Sequence, residues 1–199
     1  MRHAIILVFT LILLAGCDSS DKSTNPTPPK QILPLTVGNF YVYENAVLDS
    51  AGSVIGADTV IWTVAKDTII QNERWYIMTV NGVRDPEVSL PTTNRGDGLW
   101  VDGPSGFLLF KYPAAVNDTV FFGSDTSTVE SIHDTITVPA GTFECINYKW
   151  VGSRDEDRAY QYHYFSPGVG HVKTDEYYRT TSEFVYVRYR MVLLDELIL

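Results

Sequence analysis

Basic residues and cysteines are both scarce in this sequence of 199 residues. Lysine and arginine together number 15 against 24 aspartates and glutamates, so the formal net charge is -9. Nucleic acids and anionic lipid headgroups are bound by basic surfaces, and this charge balance argues against both as partners of the fold. The sequence therefore predicts an acidic protein that binds no nucleic acid.

Motifs for catalysis and metal binding are also missing. There is no Gly-x-Ser-x-Gly elbow, no glycine-rich phosphate loop and no His-x-His or His-Glu-x-x-His pair. His163 and His171 could meet across a hairpin near Asp175, whereas a zinc site needs three or four converging ligands. We therefore expect no metal, no cofactor and no catalytic residue, and a protein that is not an enzyme. A hydrolase with an unrecognised site is the second alternative.

The apolar run at the start of the chain is too short for a membrane-spanning helix, which needs about 20 residues. Residues 4–14 follow Arg2 and lead into Leu14-Ala15-Gly16-Cys17, an arrangement typical of a secretory signal. The tetrapeptide resembles the lipobox of bacterial lipoproteins, in which the cysteine is acylated and becomes the first mature residue. The resemblance implies a signal peptide over residues 1–16 and a lipid anchor, such as palmitate, on Cys17. A plain secreted protein with a coincidental cysteine is the alternative.

The segment after Cys17 has the composition of a linker. Residues 18–31 are polar or proline throughout, which predicts a solvated and partly stiffened tether. We assign residues 17–32 to a lipid-anchored flexible tether and residues 33–199 to a single β domain. If Cys17 is acylated, Cys145 has no partner for a disulfide. We expect Cys145 to be a buried thiol in a strand.

Period-two stretches rich in Val, Ile, Thr, Tyr and Trp predict an all-β fold with few or no helices. Short turns between the stretches favour an antiparallel meander that forms an open or flattened half-barrel or sandwich. In the last stretch, Val185, Val187, Tyr189, Met191 and Leu193 are predicted to share one face, with Tyr186, Arg188 and Arg190 on the other. The predicted strands are 40–48, 58–69, 74–81, 98–101, 107–111, 119–122, 126–138, 143–151, 159–165, 170–178 and 183–194.

Residues 33–43 and 112–122 are weakly similar to each other, since each is a proline-led turn that feeds an aromatic strand. A repeat architecture normally needs at least three units. One pair of segments therefore does not predict a repeat protein.

Three segments carry a family resemblance. They are Leu33-Pro34-Leu35-x-x-Gly38 leading into Phe40-x-x-Tyr43, the run Val138-Pro139-Ala140-Gly141-Thr142-Phe143-Glu144, and residues 164–173. In order and spacing they resemble a broad group of uncharacterised bacterial envelope lipoproteins and periplasmic proteins with an open half-barrel β fold. That fold is similar to the one used by the carriers that ferry lipoproteins between membranes. The carriers place helices across the concave face of the sheet, and this sequence offers no helix for that purpose.

Aromatic residues are the most suggestive feature of the sequence, at 13% of the chain. We identify Tyr148, Trp150, Tyr160, Tyr162 and Tyr164 as candidate ligand-face aromatics, because their rings and hydroxyls suit a sugar, peptide or lipid. Cross-strand aromatic ladders that only stabilise the sheet are the alternative.

The sequence as a whole predicts a protein of the bacterial cell envelope, anchored to a membrane by lipid on its periplasmic or surface side. We expect it to bind a hydrophobic or aromatic-stacking ligand, or a partner protein of the envelope, through a face of the sheet. A structural or assembly lipoprotein without a small-molecule ligand is the first alternative.

Overall fold

The computed structural model describes residues 30–81, 88–152, 157–181 and 184–199. Within these ranges every regular element is a β-strand, which confirms the predicted all-β class. The strands are β1 (Phe40–Leu48), β2 (Val54–Ile70), β3 (Glu73–Asn81), β4 (Val88–Arg95), β5 (Gly98–Val101), β6 (Phe107–Lys111), β7 (Thr119–Phe122), β8 (Asp125–Val138), β9 (Gly141–Val151), β10 (Arg158–Ser166), β11 (Gly170–Arg179) and β12 (Val185–Leu197).

The strands form one antiparallel sheet that curves into a nearly closed barrel. Its order is β6-β5-β4-β3-β2-β1-β12-β11-β10-β9-β8-β7, so the first and last strands of the chain pair with each other. The free edges, β6 and β7, meet at a seam without ladder hydrogen bonds. Side chains cross the seam: Phe107 stacks on Phe122 with ring centroids 5.2 Å apart, and Lys111 pairs with Asp118 at 3.1 Å.

Strand β4 is the one described strand that the sequence did not predict. It contains Pro91, and a proline in a short polar run argues against a strand because it cannot donate a ladder hydrogen bond. Pro91 lies opposite Ile77 of β3, and its carbonyl accepts a hydrogen bond from the Asp102 amide at 2.9 Å. The neighbouring strands therefore hold β4 in the sheet despite its weak local preference.

The weak similarity between residues 33–43 and 112–122 corresponds to two turns that fold alike. The turn residues, Gly38 and Asn117, have φ angles of 99° and 72°, in the left-handed region that glycine and asparagine tolerate best. Each turn residue donates its N–H to the carbonyl of a buried valine, which lies in the second strand after the turn, β2 or β8. The Gly38 amide donates to the Val64 carbonyl at 2.9 Å, and the Asn117 amide donates to the Val129 carbonyl at 2.8 Å.

The N-terminal segment of the described chain closes one end of the barrel, which we call the lower end. Ile32 and Leu33 are buried there at 0% and 3% exposure. The Gln31 carbonyl accepts from the Gly168 amide at 2.7 Å, and the Leu33 carbonyl accepts from the Asn94 side chain at 2.8 Å. Apolar side chains and satisfied carbonyls thus stabilise a plug between the lower turns. The upper end is the one that carries the turn between β1 and β2.

A β-bulge in β12 corrects the predicted faces of that strand. Glu176 pairs with Tyr189, but the next residue of β11, Tyr177, pairs with Val187, so Arg188 is the extra residue. One extra residue reverses the side-chain alternation beyond it. Leu193, Met191 and Tyr189 point inward as predicted, whereas Val185 and Val187 point outward, and Tyr186 and Arg188 lie on the inner side.

Cys145 is 1% exposed in β9, which confirms the predicted buried thiol. Burial raises its pKa to about 12, so little of it is thiolate at neutral pH. The predicted signal peptide and the lipidation residue Cys17 lie outside the described residues. Across the described ranges there is no helix with the length and apolar character to cross a membrane.

Candidate functional site

A cavity of about 400 Å³ occupies the upper part of the barrel interior, and we call it the luminal cavity. Its apolar wall comes from Val60, Trp62, Val80 and Met191. These side chains point inward because they alternate along β2, β3 and β12 with residues that face solvent. A smaller apolar cavity of about 130 Å³ lies below, and Trp62 and Val80 line both cavities.

The polar wall of the luminal cavity is built on β10 and β11. The Thr174 hydroxyl lies 2.7 Å from His171 Nε2 and 3.0 Å from His163 Nδ1. His163 Nε2 lies 3.1 Å from the Gln161 carbonyl oxygen, which can only accept. His163 Nε2 therefore donates, His163 Nδ1 accepts from Thr174, and Thr174 accepts from His171. This directed chain is complete when both imidazoles are neutral, and it leaves the buried His171 Nδ1 without a hydrogen-bond partner among the described residues.

The surroundings of the two histidines favour the neutral form. Burial, with the Arg158 cation as a second cause, lowers the pKa of His163 to about 3. Burial also lowers the pKa of His171 well below its ordinary value, and the neighbouring His163 adds to that shift. His171 is 1% exposed, while His163 keeps part of its ring exposed to the cavity.

Aromatic rings surround the histidines and make the interior rigid. Trp62 stacks on His171 with ring centroids 5.3 Å apart, and Tyr43 lies 5.0 Å from Trp62. The Tyr43 hydroxyl donates to the His171 carbonyl at 3.1 Å. Contacts of this kind fix side-chain positions beyond what apolar burial alone provides. The interior is therefore a preformed and mainly aromatic surface with a few polar groups.

A polar recess of about 510 Å³ opens at the upper end between β11 and β12, and we call it the mouth. Tyr189 lines both the mouth and the luminal cavity, so the two are adjacent. Tyr178, Tyr186 and Arg188 line the mouth on the inner side of the β12 bulge.

The five candidate ligand-face aromatics do not share one surface. Tyr148 and Trp150 point into the barrel, where Tyr148 lies 4.9 Å from Phe110 and Trp150 lies 5.6 Å from His163. Tyr160, Tyr162 and Tyr164 alternate along β10 and share its outer face. The sequence did not separate the two sets. Alternation shows which residues of one strand share a face, but the matching of faces between neighbouring strands depends on the turn length and the register.

The outer tyrosines form a self-packed ladder. Tyr160 stacks on Tyr177 of β11 with centroids 4.7 Å apart and meets Tyr162 edge-on at 5.4 Å. Lys149 lies 4.9 Å above the Tyr160 ring. Cross-strand aromatic pairs each stabilise a sheet by roughly 0.2–1 kcal/mol. The ladder has an evident structural use, and it holds no cavity.

The predicted meeting of His163 and His171 near Asp175 is half correct. The imidazoles meet inside the barrel, with ring centroids 6.2 Å apart and Thr174 between them. Asp175 is the next residue of β11 and faces outward, where it binds Arg190 at 2.7 Å and Lys173 at 2.6 Å. Among the described residues no group of three or more His, Cys, Asp or Glu side chains is arranged to hold a metal ion.

Sequence reasoning missed Trp62, Thr174 and Arg188 as site residues. Trp62 is two residues from both Val60 and Val64 and therefore shares a face of the strand with them. This spacing places Trp62 on the inner face but does not distinguish it as a site residue. Thr174 is one of many threonines in strands. Arg188 was predicted for the wrong face because a bulge leaves no mark in a run of alternating residues.

The chain resembles known proteins in its fold rather than in its sequence. No protein-family model and no curated protein matches its sequence. The fold matches a provisionally assigned exported protein with a YmcC-like fold from Bacteroides fragilis, with 12% identity, a TM-score of 0.58 and coverage of 84% of this chain and 99% of that one. It also matches a provisionally assigned lipoprotein from Parabacteroides distasonis, with 16% identity, a TM-score of 0.54 and coverage of 86% and 100%. At these identities the similarity shows a shared barrel-shaped β fold.

Proposed function

We propose that this chain is a lipid-anchored protein of the bacterial cell envelope that binds a small hydrophobic or amphipathic molecule inside its barrel without transforming it. The observation that carries the proposal is the luminal cavity. Its volume of about 400 Å³ falls within the range of about 300–1,000 Å³ that small-molecule sites occupy. Its walls combine aromatic and aliphatic surface with a few converging polar groups, as such sites do.

The electrostatics of the cavity support binding rather than catalysis. Thr174 contacts His163 as a nucleophile would contact a base, at 3.0 Å. A general base works best when its pKa lies near the operating pH, and burial lowers the pKa of His163 to about 3. His163 therefore has little tendency to take the Thr174 proton. A polar anchor for a ligand suits this neutral chain better.

The lipid anchor rests on the lipobox-like residues Leu14-Ala15-Gly16-Cys17, and one of the two structural neighbours is described as a lipoprotein. Two or more acyl chains give lasting membrane attachment, whereas one chain gives only marginal binding. We expect metabolic labelling with a palmitate analogue to mark the wild-type chain and to leave Cys17→Ser unlabelled. Labelling of Cys17→Ser would place the acyl group elsewhere and contradict the anchor.

Ligand binding is tested with a fluorescent probe and a substitution that fills the cavity. Val60 is 4% exposed and lines the cavity, so Val60→Phe places a ring in the space a ligand would use. Val54→Phe is the matched control, because Val54 lies on the same strand at 60% exposure. The assay uses the chain from residue 17 onward with Cys17→Ser in every variant. This protein carries no acyl group on residue 17 and needs no detergent, so neither competes with the probe for the cavity.

The probe is N-phenyl-1-naphthylamine, which is uncharged and fluoresces in apolar surroundings. We expect Val60→Phe to weaken its binding by about tenfold, equivalent to about 1.4 kcal/mol, and Val54→Phe to leave it unchanged. Urea unfolding of Val60→Phe should show stability at or above that of the parent chain. Absence of probe binding to the parent, or equal binding to both variants, would refute luminal binding.

A further inference from the structure

The side chain of Arg188 is held in a fixed position at the mouth by three tyrosines. Its guanidinium donates to the Tyr186 hydroxyl at 3.1 Å and to the Tyr189 hydroxyl at 3.5 Å. It also lies 5.6 Å from the Tyr189 ring centroid and 5.8 Å from that of Tyr178. The bulge in β12 places Arg188 on the same side as Tyr189, where it lines the mouth as an exposed residue.

Within the described part of the chain, this guanidinium contacts neutral groups only. Among the described residues no carboxylate lies within ion-pairing distance of Arg188, and the groups that raise its pKa are the phenols of Tyr186 and Tyr189. Other arginines of the sheet are paired with carboxylates, as Arg95 is with Glu73 at 2.7 Å. In a chain with a net charge of -9, an oriented cation without a carboxylate partner is unusual.

The position of Arg188 connects it to the luminal cavity. Tyr189, which accepts its hydrogen bond, lines both the mouth and the cavity. Glu176 lines the cavity, whereas the mouth is lined by two cations, Arg188 and Arg179, and one carboxylate, Asp157. A negative group is therefore favoured at the mouth over the cavity. A molecule whose apolar part enters the cavity therefore presents its polar end near Arg188.

We infer that the barrel selects amphipathic ligands with a single anionic group, and that Arg188 binds that group at the mouth. A guanidinium presents planar paired donors that match a carboxylate, sulfonate or phosphate. The cavity accepts the apolar part, and the three tyrosines orient the cation before the ligand arrives, which lowers the cost of ordering it. This inference rests on the proposed luminal binding and adds the charge of the ligand and the residue that reads it.

Two probes that differ by one anionic group test the inference. They are 8-anilinonaphthalene-1-sulfonate and uncharged N-phenyl-1-naphthylamine, which share one aromatic skeleton. Binding is measured by fluorescence titration for the parent chain with Cys17→Ser and for Arg188→Gln and Arg74→Gln in that background. Arg74 is the matched control, because its side chain is 62% exposed and pairs with Asp67 outside the site.

We expect Arg188→Gln to weaken binding of the sulfonate probe by about tenfold, the effect of losing about 1.4 kcal/mol from one charge-assisted contact. The uncharged probe should bind Arg188→Gln and the parent equally, and Arg74→Gln should bind both probes as the parent does. The inference is overturned, with luminal binding intact, if both probes bind and Arg188→Gln changes neither or both alike. If the uncharged probe does not bind the parent at all, the proposed function fails and the inference fails with it.

Discussion

The two buried histidines make the stability of this protein depend on pH above the range in which most carboxylates titrate. Both imidazoles are neutral in the folded state, because burial lowers the pKa of His163 to about 3 and that of His171 well below its ordinary value. In the unfolded chain a histidine has a pKa of about 6.5. The unfolded chain therefore binds more protons at mildly acidic pH, and the free energy of unfolding falls as the pH falls.

The size of the loss does not depend on the folded pKa once that pKa is below about 4, since the folded imidazole then stays neutral at about pH 5. Only the protonation of the unfolded chain counts. Between about pH 7.5 and about pH 5 each such histidine costs about 2 kcal/mol of stability. Two histidines cost up to about 4 kcal/mol, a large part of the 5–15 kcal/mol that holds a typical domain folded. Partial exposure of His163 to the cavity makes this an upper value.

His171→Gln isolates the contribution of one histidine. The glutamine amide can still donate to Thr174 in place of His171 Nε2, whose donor–acceptor distance is 2.7 Å, but it does not titrate. Urea unfolding, followed by tryptophan fluorescence at the two pH values, gives the free energy of unfolding of each protein. We expect the parent to lose more free energy of unfolding than His171→Gln on acidification, by up to about 2 kcal/mol.

Carboxylates titrate equally in both proteins and cancel in this difference. His133→Gln is the control for removing a histidine, because the His133 side chain is 73% exposed and lies outside the buried chain. It should lose as much stability as the parent. Equal losses for His171→Gln and the parent would show that His171 is not held neutral by burial, and would refute the reasoning.

Two further predictions follow from burial. Cys145 is 1% exposed with a pKa raised to about 12, so iodoacetamide should label it slowly in the folded chain and rapidly in urea, and rapid labelling without urea would contradict the buried thiol. Asp175 is 4% exposed and binds Arg190 at 2.7 Å, so Arg190→Met should lower the free energy of unfolding by about 1.5–3 kcal/mol, the value of a hydrogen bond to a charged group. Lys173 still pairs with Asp175 at 2.6 Å in Arg190→Met, so we expect the lower end of that range. Arg190→Lys should recover part of the lost free energy of unfolding.

Periodicity predicted most of this fold because strands in a half-buried sheet carry their own signal. Alternation grouped Tyr189, Met191 and Leu193 on one face of their strand and Tyr160, Tyr162 and Tyr164 on one face of theirs, and each group shares a face in the structure. The signal failed in β4, where Pro91 lowers the local preference for a strand and pairing with β3 and β5 overrides it. It failed again at Arg188, where the bulge shifts the register by one residue.

The sequence by itself determined the all-β class, the acidic surface, the buried Cys145 and a lipobox-like start that predicts a membrane anchor. These follow from composition and from patterns of near neighbours, which act through local backbone preference and side-chain alternation. Tertiary structure alone decided the closure of the sheet through β1 and β12, the luminal cavity, and the chain of His171, Thr174 and His163. The closure and the cavity join residues far apart in the chain, whereas His163 and Thr174 lie on one hairpin, eleven residues apart. The geometry of all three depends on barrel curvature and register, which a linear pattern does not contain.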